Sequence, residues 1–321
     1  MAKSKNNLDI SVLIATYNRA EILLRTLESI TVLERTGLSV EFVVVDNNSS
    51  DHTKQVIESF TERLPVRYLF EPNPGQNCAR NRALEDVELG RLVVFTDDDV
   101  EPGKDWLKAI VSISERWPEY SVFGGKIYVV WPNIRIPEWA HIPHVKSLCF
   151  AEHNYAESKC VYAPRQYPFS GNFWVRRDLL ANGRRFDERI GPRPGGYIMG
   201  SESSFLQKLS EDGYRMVYSP EAVVGHRVLR QQISIGNVLR RAYRRGRAIA
   251  HNRPLCRQAL LDNHPVLWRL VQAGAIVRLT FSMLTSLAAL ILKKPGKAMR
   301  TMRLIGYNVE SLNIANKYKL T

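Results

Sequence analysis

The sequence predicts an α/β fold: a mostly parallel central sheet flanked by helices and followed by a C-terminal helical extension. Three observations predict it. Short, almost wholly apolar, β-branched runs recur along the first hundred residues; segments with apolar residues at helical spacing separate them; and from Ile233 onward the pattern is helical alone, punctuated by Pro254, Pro265, Pro295 and Gly296. Strands covered on both faces read as continuous apolar runs rather than alternating ones, and crossover helices provide that cover in a parallel sheet.

In chain order, Ile10–Ala15 (ISVLIA) is the first strand, Ala20–Glu34 a helix and Glu41–Asp46 (EFVVVD) the second strand. A helix over about 51–63, a strand at Val66–Phe70, a helix from Asn77 to about Glu88 and a strand at Arg91–Thr96 complete a second cycle. Trp106–Glu115 reads as a helix and Ser121–Trp131 as a long strand. The stretch Pro132–Pro168, rich in Pro, His and aromatic residues without clean periodicity, is expected to be a long loop or lid. Phe169–Val175, a helix over about Glu202–Glu211 and the apolar run Ala222–Gly225 return to regular structure. No internal repeat at a solenoid period is present.

Charge divides the chain. Of its 321 residues, 229–321 hold 17 Lys and Arg against 2 Asp and Glu, which leaves 28 against 30 in 1–228 although the whole carries +13. The expected division is a catalytic domain over 1–228 and a basic helical, membrane-associated extension over 229–321. Such asymmetry calls for an anionic partner, be it a membrane surface, nucleic acid or a phosphorylated acceptor. Arg240, Arg241, Arg244, Arg245 and Arg247 fall within eight residues of one expected helix. Leu279–Leu292 is uncharged but only 14 residues long, short of the roughly 20 that span a bilayer, and reaching back to Val271 takes in Arg278. Lys293, Lys294, Lys297, Arg300 and Arg303 follow it, the arrangement of a helix that lies in the interface beside anionic lipid. The start, MAKSKNNLDIS, has no apolar stretch like that of a signal peptide, and Cys78, Cys149, Cys160 and Cys256 have no metal-ligand spacing; both point to the cytoplasm.

Chemistry concentrates where the predicted strands end. The first runs into Thr16-Tyr17-Asn18-Arg19, the second into Asp46-Asn47-Asn48-Ser49-Ser50-Asp51, the fourth into Asp97-Asp98-Asp99. Open parallel sheets bind ligands at this edge. Three adjacent carboxylates repel one another unless a cation intervenes, and hard oxygen ligands suit Mg²⁺ or Mn²⁺ completed by phosphate and water. Asp51 or Ser50 is read as the cap of the helix that follows, whereas Asp46 ends the buried strand and is free to meet a nucleobase edge or a ribose hydroxyl.

ATYNRAEILLRTLESI, VVVDNNSSD, GQNCARNRAL and FTDDDVEPGKDWL, in this order, resemble glycosyltransferase family 2, and the likeness continues through FSGNFWVRRDLL, GSESSFLQKLSEDGYRMVYSPEAVVGH and RRAYRRG over about residues 9–250. The resemblance implies the nucleotide-diphospho-sugar transferase fold of glycosyltransferase A type, an inverting mechanism and a Mn²⁺ or Mg²⁺ cofactor. It implies that Thr16, Tyr17, Asn18 and Arg19 line the donor site, with Tyr17 against the base, Asp46 reading the base edge and Arg80 close to the nucleotide. Asp97 or Asp98 would face ribose or sugar, and Asp99 would bind the metal. His226 would complete the metal site or border the acceptor, and Gly171, Asn172 and Trp174 would lie on the acceptor side.

Family members usually carry a G-E-D-T-E-like segment whose aspartate is the catalytic base. Here it reads Gly200-Ser201-Glu202-Ser203-Ser204-Phe205, which puts Glu202 in the base position and Ser201 where glutamate usually stands. The competing reading of Glu202 is an early-turn helix acid favoured by the helix dipole. Ala15 stands where the family most often has proline. The implied partners are a nucleotide sugar, with UDP-sugars favoured, and a glycan or lipid-linked acceptor of surface polysaccharide synthesis at the inner face of the membrane; homo-oligomerisation is left open. A sugar nucleotidyltransferase would carry a Gly-rich, basic phosphate loop where ATYNR stands, and a dinucleotide-dependent oxidoreductase would carry G-x-G-x-x-G. A nucleic-acid binder would leave the aspartate rim without a purpose, so no nucleic-acid partner is expected. A catalytically inactive nucleotide-sugar or anionic-surface binding protein is the remaining alternative.

Overall fold

The computed structural model describes residues 8–86, 88–193, 197–251, 282, 283, 285, 289 and 295–318. Most of Leu279–Leu292, and of the wider 271–292 stretch, lies outside the described residues, as does Cys256. The chain forms two compact units, one of Met1–Pro132, Phe150–Gly196 and Ser201–Val228, the other of Asn133–Cys149, Tyr197–Gly200 and Leu229–Thr321.

The first unit is built on a sheet of nine strands among the described residues. These are β1 (Ile10–Thr16), β2 (Val40–Asp46), β3 (Val66–Phe70), β4 (Leu92–Asp97), β5 (Val100–Pro102), β6 (Val122–Val130), β7 (Cys160–Val161), β8 (Phe173–Arg176) and β9 (Met216–Arg227), in the order β3-β2-β1-β4-β8-β6-β9-β5, with β7 paired to β9. β1 to β4 are mutually parallel and carry the apolar runs read from the sequence. β8 runs antiparallel between β4 and β6, and β5 and β7 are antiparallel to β9, so the sheet is mixed beyond its parallel half.

Helices α1 (Ala20–Thr31), α2 (Thr53–Glu58) and α4 (Trp106–Arg116) contribute to the core on one face, where Leu23, Leu27 and Ile30 of α1 meet Val12, Ile14, Phe42 and Val44. On the other face α3 (Gln76–Asp86) and α6 (Ser201–Glu211) bring Ala79, Ala83, Phe205, Leu206 and Leu209 against Leu13, Val43, Val93 and Phe95. The N-cap position of α2 is His52 rather than Asp51 or Ser50, yet Asp51 serves two helix starts: one carboxylate oxygen accepts the Thr53 amide at the start of α2 and the other the Ala20 amide at the start of α1. The expected helix over 51–63 is shorter, ending at Glu58 and continuing in turns.

Pro132–Pro168 holds more regular structure than its sequence pattern suggests: a 3-10 turn at Glu138–His141, helix α5 (Pro143–Phe150) and β7. The expected strand at Phe169–Val175 begins at Phe173, because Phe169–Asn172 form a turn closed by the Asn172 amide on the Phe169 carbonyl.

In the second unit α7 (Ile235–His251) packs on α8 (Pro295–Tyr318) at close backbone range. Gly246 sits over the Arg303 carbonyl and Gly306 over the Tyr243 carbonyl, and a Cβ at either would collide with backbone. Arg247 pairs with Glu310 at 2.7 Å, Arg241 donates to the Leu148 carbonyl and Arg244 lies over the Tyr197 ring. Three of the five clustered arginines are therefore engaged within their own unit. Lys297, Arg300 and Arg303 are exposed along α8. Among the described residues no helix is long and apolar enough to cross a membrane.

Candidate active site

Register decides which strand ends meet. Thr16 lies level with Asp46 across β1 and β2, and Ala15 level with Asp97 across β1 and β4. β5 follows β4 by a tight turn and pairs antiparallel with β9, Val100 opposite His226, while the Arg227 amide donates to the Asp99 carbonyl at 2.8 Å. A histidine near the end of the catalytic unit is thereby set beside the aspartate triplet.

The three aspartates face different surroundings. Asp97 accepts from Gln76 Nε2 at 3.2 Å, Ser170 Oγ at 3.1 Å and Arg80 Nη2 at 3.4 Å. Asp98 is buried, with Thr16 Oγ1 donating to one oxygen at 2.7 Å and Arg19 Nη1 to the other at 2.5 Å. Asp99 receives Arg19 Nη2 on Oδ2 at 2.8 Å, while its buried Oδ1 accepts no hydrogen bond and lies 3.5 Å from His226 Nε2. Burial pushes Asp98 up to about 7 against the pull of Arg19, and burial likewise raises Asp97 against Arg80. For Asp99 burial also disfavours the charge, but His226 and Arg19 outweigh it and hold the carboxyl well below its ordinary range.

His226 Nδ1 is 2.9 Å from the Phe150 carbonyl, an oxygen that only accepts, so Nδ1 carries the proton. With the ring charged, Nε2–H and Asp99 Oδ1 form an ion pair at 3.5 Å; with the ring neutral, its Nε2 lone pair faces that oxygen, and a cation between them takes the place of the proton. Among the described residues no three His, Cys, Asp or Glu side chains gather as a complete cage. A carboxylate and an imidazole fit Mg²⁺ or Mn²⁺ nonetheless, since these ions keep several waters and complete their shell with substrate phosphates.

Around the rim, Tyr17 is 46% exposed and so offers its ring to a ligand. Asn18, at positive φ, accepts the Ser50 amide and donates its own amide to Ser49 Oγ, which ties the loops after β1 and β2 together. Asp46 is buried, accepting the Ser49 amide at 2.9 Å and the Tyr68 hydroxyl at 3.2 Å; burial and that carboxylate push Tyr68 up to about 12. Gly171 borders Asp97, and a Cβ there would stand 3.5 Å from Asp97 Oδ2. Glu202 is in the first turn of α6 with Ser203 Oγ donating to it. Its neighbour Ser201 is buried with Oγ 3.4 Å from Gln76 Oε1, so Gln76 links α6 to Asp97.

Several of the expected site residues are engaged inside the protein. Thr16 and Asp98 are bonded to each other inside the protein, and Arg19 is committed to Asp98 and Asp99. Thr16 and Asp98 are buried, whereas the Arg19 side chain keeps 30% of its surface exposed at the rim. Asn172 and Trp174, expected on the acceptor side, are fully buried. Asn172 donates to the Lys126 and Ala222 carbonyls and accepts Trp106 Nε1, and Trp174 Nε1 donates to Ser114 Oγ. Conversely, Gln76 and Ser170 reach Asp97 without having been singled out. Both lie in quoted motifs, GQNCARN and FSGN, but nothing in their spacing tells which side chain turns to the rim.

The pattern of the family described as Glycosyl transferase family 2 matches residues 11–183, more than half of the chain. Glycosyltransferase AglE of Haloferax volcanii is 25% identical over 241 residues, covering 71% of each chain. Succinoglycan biosynthesis protein ExoM of Rhizobium meliloti is 26% identical over 275 residues, covering 84% of this chain and 81% of its own. Among solved structures, the mannosyltransferase PcManGT from Pyrobaculum calidifontis, in complex with GDP-Man and Mn²⁺, shares the fold at a TM-score of 0.59 and 21% identity, over 96% of this chain and 88% of that one. The family pattern spans the strand ends that carry the aspartate rim, and the chain belongs to glycosyltransferase family 2.

Proposed function

We propose that the chain is an inverting transferase that moves a sugar from a nucleotide diphosphate donor, a UDP-sugar by family weight, to a hydroxyl of a glycan or lipid-linked acceptor in surface polysaccharide synthesis. The observation that carries the reading is the buried Asp99 Oδ1 facing His226 Nε2 at 3.5 Å, just beyond the end of a core strand. Relatives support the acceptor class, since ExoM is named for succinoglycan biosynthesis and TuaG of Bacillus subtilis for teichuronic acid biosynthesis. Neighbours in fold support the donor class: PcManGT holds GDP-Man and Mn²⁺, and TarS of S. aureus holds UDP-GlcNAc.

Asp99 and His226 would hold Mn²⁺ or Mg²⁺, which when bound supplies positive charge to neutralise the departing diphosphate. Asp97, steadied by Arg80, Gln76 and Ser170, would accept hydrogen bonds from ribose or sugar hydroxyls. Tyr17 would stack on the base while Asp46 reads its edge. Glu202 would take the proton of the attacking hydroxyl, and a single in-line displacement needs no second carboxylate as nucleophile. The basic 229–321 region would hold the enzyme against anionic lipid at the inner face of the membrane, with Lys297, Arg300 and Arg303 exposed for that contact.

The test is slow hydrolysis of nucleotide sugars by purified protein with Mn²⁺ and no acceptor. One of the UDP-, GDP- or TDP-sugars should be consumed, and Asp99→Ala should abolish the turnover. Equal hydrolysis by the variant would remove the metal assignment.

A further inference from the structure

We infer that Arg19 is the positioning residue of the proposed cation site, acting on Asp99 rather than on the donor; the inference rests on the metal reading of Asp99 and His226. The main chain of Arg19 is fixed at the head of α1, where its carbonyl accepts the Ile22 and Leu23 amides. From there one guanidinium spans two successive carboxylates, Nη1 on Asp98 Oδ1 at 2.5 Å and Nη2 on Asp99 Oδ2 at 2.8 Å. Thr16 occupies the other oxygen of Asp98, so Asp98 is an anchor with both oxygens used inside the protein.

Asp99 is left with one oxygen tethered to Arg19 and the other facing His226 Nε2 at 3.5 Å. Its backbone is already held by the Arg227 amide and by the pairing of Val100 with His226. The freedom that remains is rotation of the side chain, and the Arg19 bond removes it with Oδ1 turned to His226 Nε2. A planar fork can bridge two carboxylates in fixed geometry, whereas an ammonium group acts as a point charge. Groups that orient a metal ligand in this way are commonly worth about 10- to 100-fold in metal affinity.

Charge alone predicts the opposite sign. A guanidinium bonded to a ligand carboxylate repels an incoming divalent cation, so a mere counter-ion would hinder binding and its removal would tighten it. The positioning role predicts loss. Mn²⁺ binding should be read from the free-ion EPR signal with Mn²⁺ alone, then again with UDP and with GDP, for wild type, Arg19→Ala, Arg19→Lys and Asp99→Ala. Both Arg19 variants are expected to bind Mn²⁺ about 10- to 100-fold more weakly. Arg19→Lys should keep the wild-type thermal midpoint and the wild-type affinity for nucleotide in EDTA, which a general structural role would lower together with the metal affinity. Should Arg19→Ala destabilise the fold, Arg19→Lys carries the test. Unchanged or tighter Mn²⁺ binding by Arg19→Lys, alongside loss in Asp99→Ala, overturns the positioning role and leaves the site standing. Wild-type Mn²⁺ binding by Asp99→Ala, or none by wild type with either nucleotide, overturns the metal reading and the inference with it.

Discussion

Asn172→Ala separates a structural from a functional reading of the FSGN motif. The Asn172 side chain is fully buried and makes three hydrogen bonds, donating to the Lys126 carbonyl at 2.9 Å and the Ala222 carbonyl at 2.7 Å and accepting Trp106 Nε1 at 2.9 Å. It thereby clips β6, the middle of β9 and the start of α4 around the turn that precedes β8. Gly125 leaves the room this requires, since a Cβ there would run into both the Ala222 carbonyl and the Asn172 amide. Truncation to alanine strands two carbonyl oxygens and an indole N–H in the core. Each buried group left unpaired costs about 1–3 kcal/mol, and with partial rescue by entering water the sum is about 4 kcal/mol. For a unit of this size that lowers the thermal midpoint by about 8–16 °C. The assay is denaturant and thermal unfolding followed by circular dichroism, beside transferase kinetics at a temperature where the variant is folded. An unchanged midpoint combined with a raised KM for acceptor would refute the structural argument and return Asn172 to the acceptor side.

Three further outcomes are expected. Glu202→Gln should retain nucleotide-sugar binding by calorimetry and lose transfer by about 100-fold or more; normal transfer would show that the proton leaves by another route. His153 is buried against Phe169 and Tyr162, and burial pushes its imidazole down from 6.5 to about 4. Between those values the unfolded chain takes up a proton that the native ring refuses. The contribution is thus intact above pH 6.5 and is lost as pH falls toward 4, by about 3 kcal/mol. His153→Phe should flatten the acid limb of stability against pH; an identical slope in both proteins would show that this ring does not set it. Gly306→Val should force α8 off the Tyr243 carbonyl and cost about 1–3 kcal/mol; limited proteolysis within 235–318 should accelerate, and an unaltered digest would contradict the close crossing.

The parallel half of the fold was legible because β1, β2 and β4 are buried on both faces and must be written in Ile, Val, Leu and Phe. Their polar ends were legible for the same reason, as Thr16, Asp46 and Asp97 break runs that are otherwise apolar. What escaped depends on pairings between distant segments. β8 lies beside β4 although some 75 residues separate them, and only that placement brings Ser170 to Asp97 and turns Trp174 into the core. Motif likeness marked Asn172 and Trp174 equally well whether they touch substrate or hold the frame. The partners of Arg19 were also hidden: nothing in ATYNR tells whether its guanidinium points outward to phosphate or inward to a neighbouring carboxylate. His226 was found through its motif, but its route to Asp99 is the antiparallel pairing of β5 with β9.

That pairing has a kinetic consequence. The two side chains proposed to share an ion are contributed by the turn before a three-residue strand and by the last strand of the catalytic unit, and they meet only once that last strand is in place. Closing so long a loop is slow and entropically costly until much of the sheet is in place. Forming the parallel strands alone leaves the acidic tip without its histidine partner. On the proposed reading, competence to capture a cation is a property of the finished sheet rather than of the aspartates themselves.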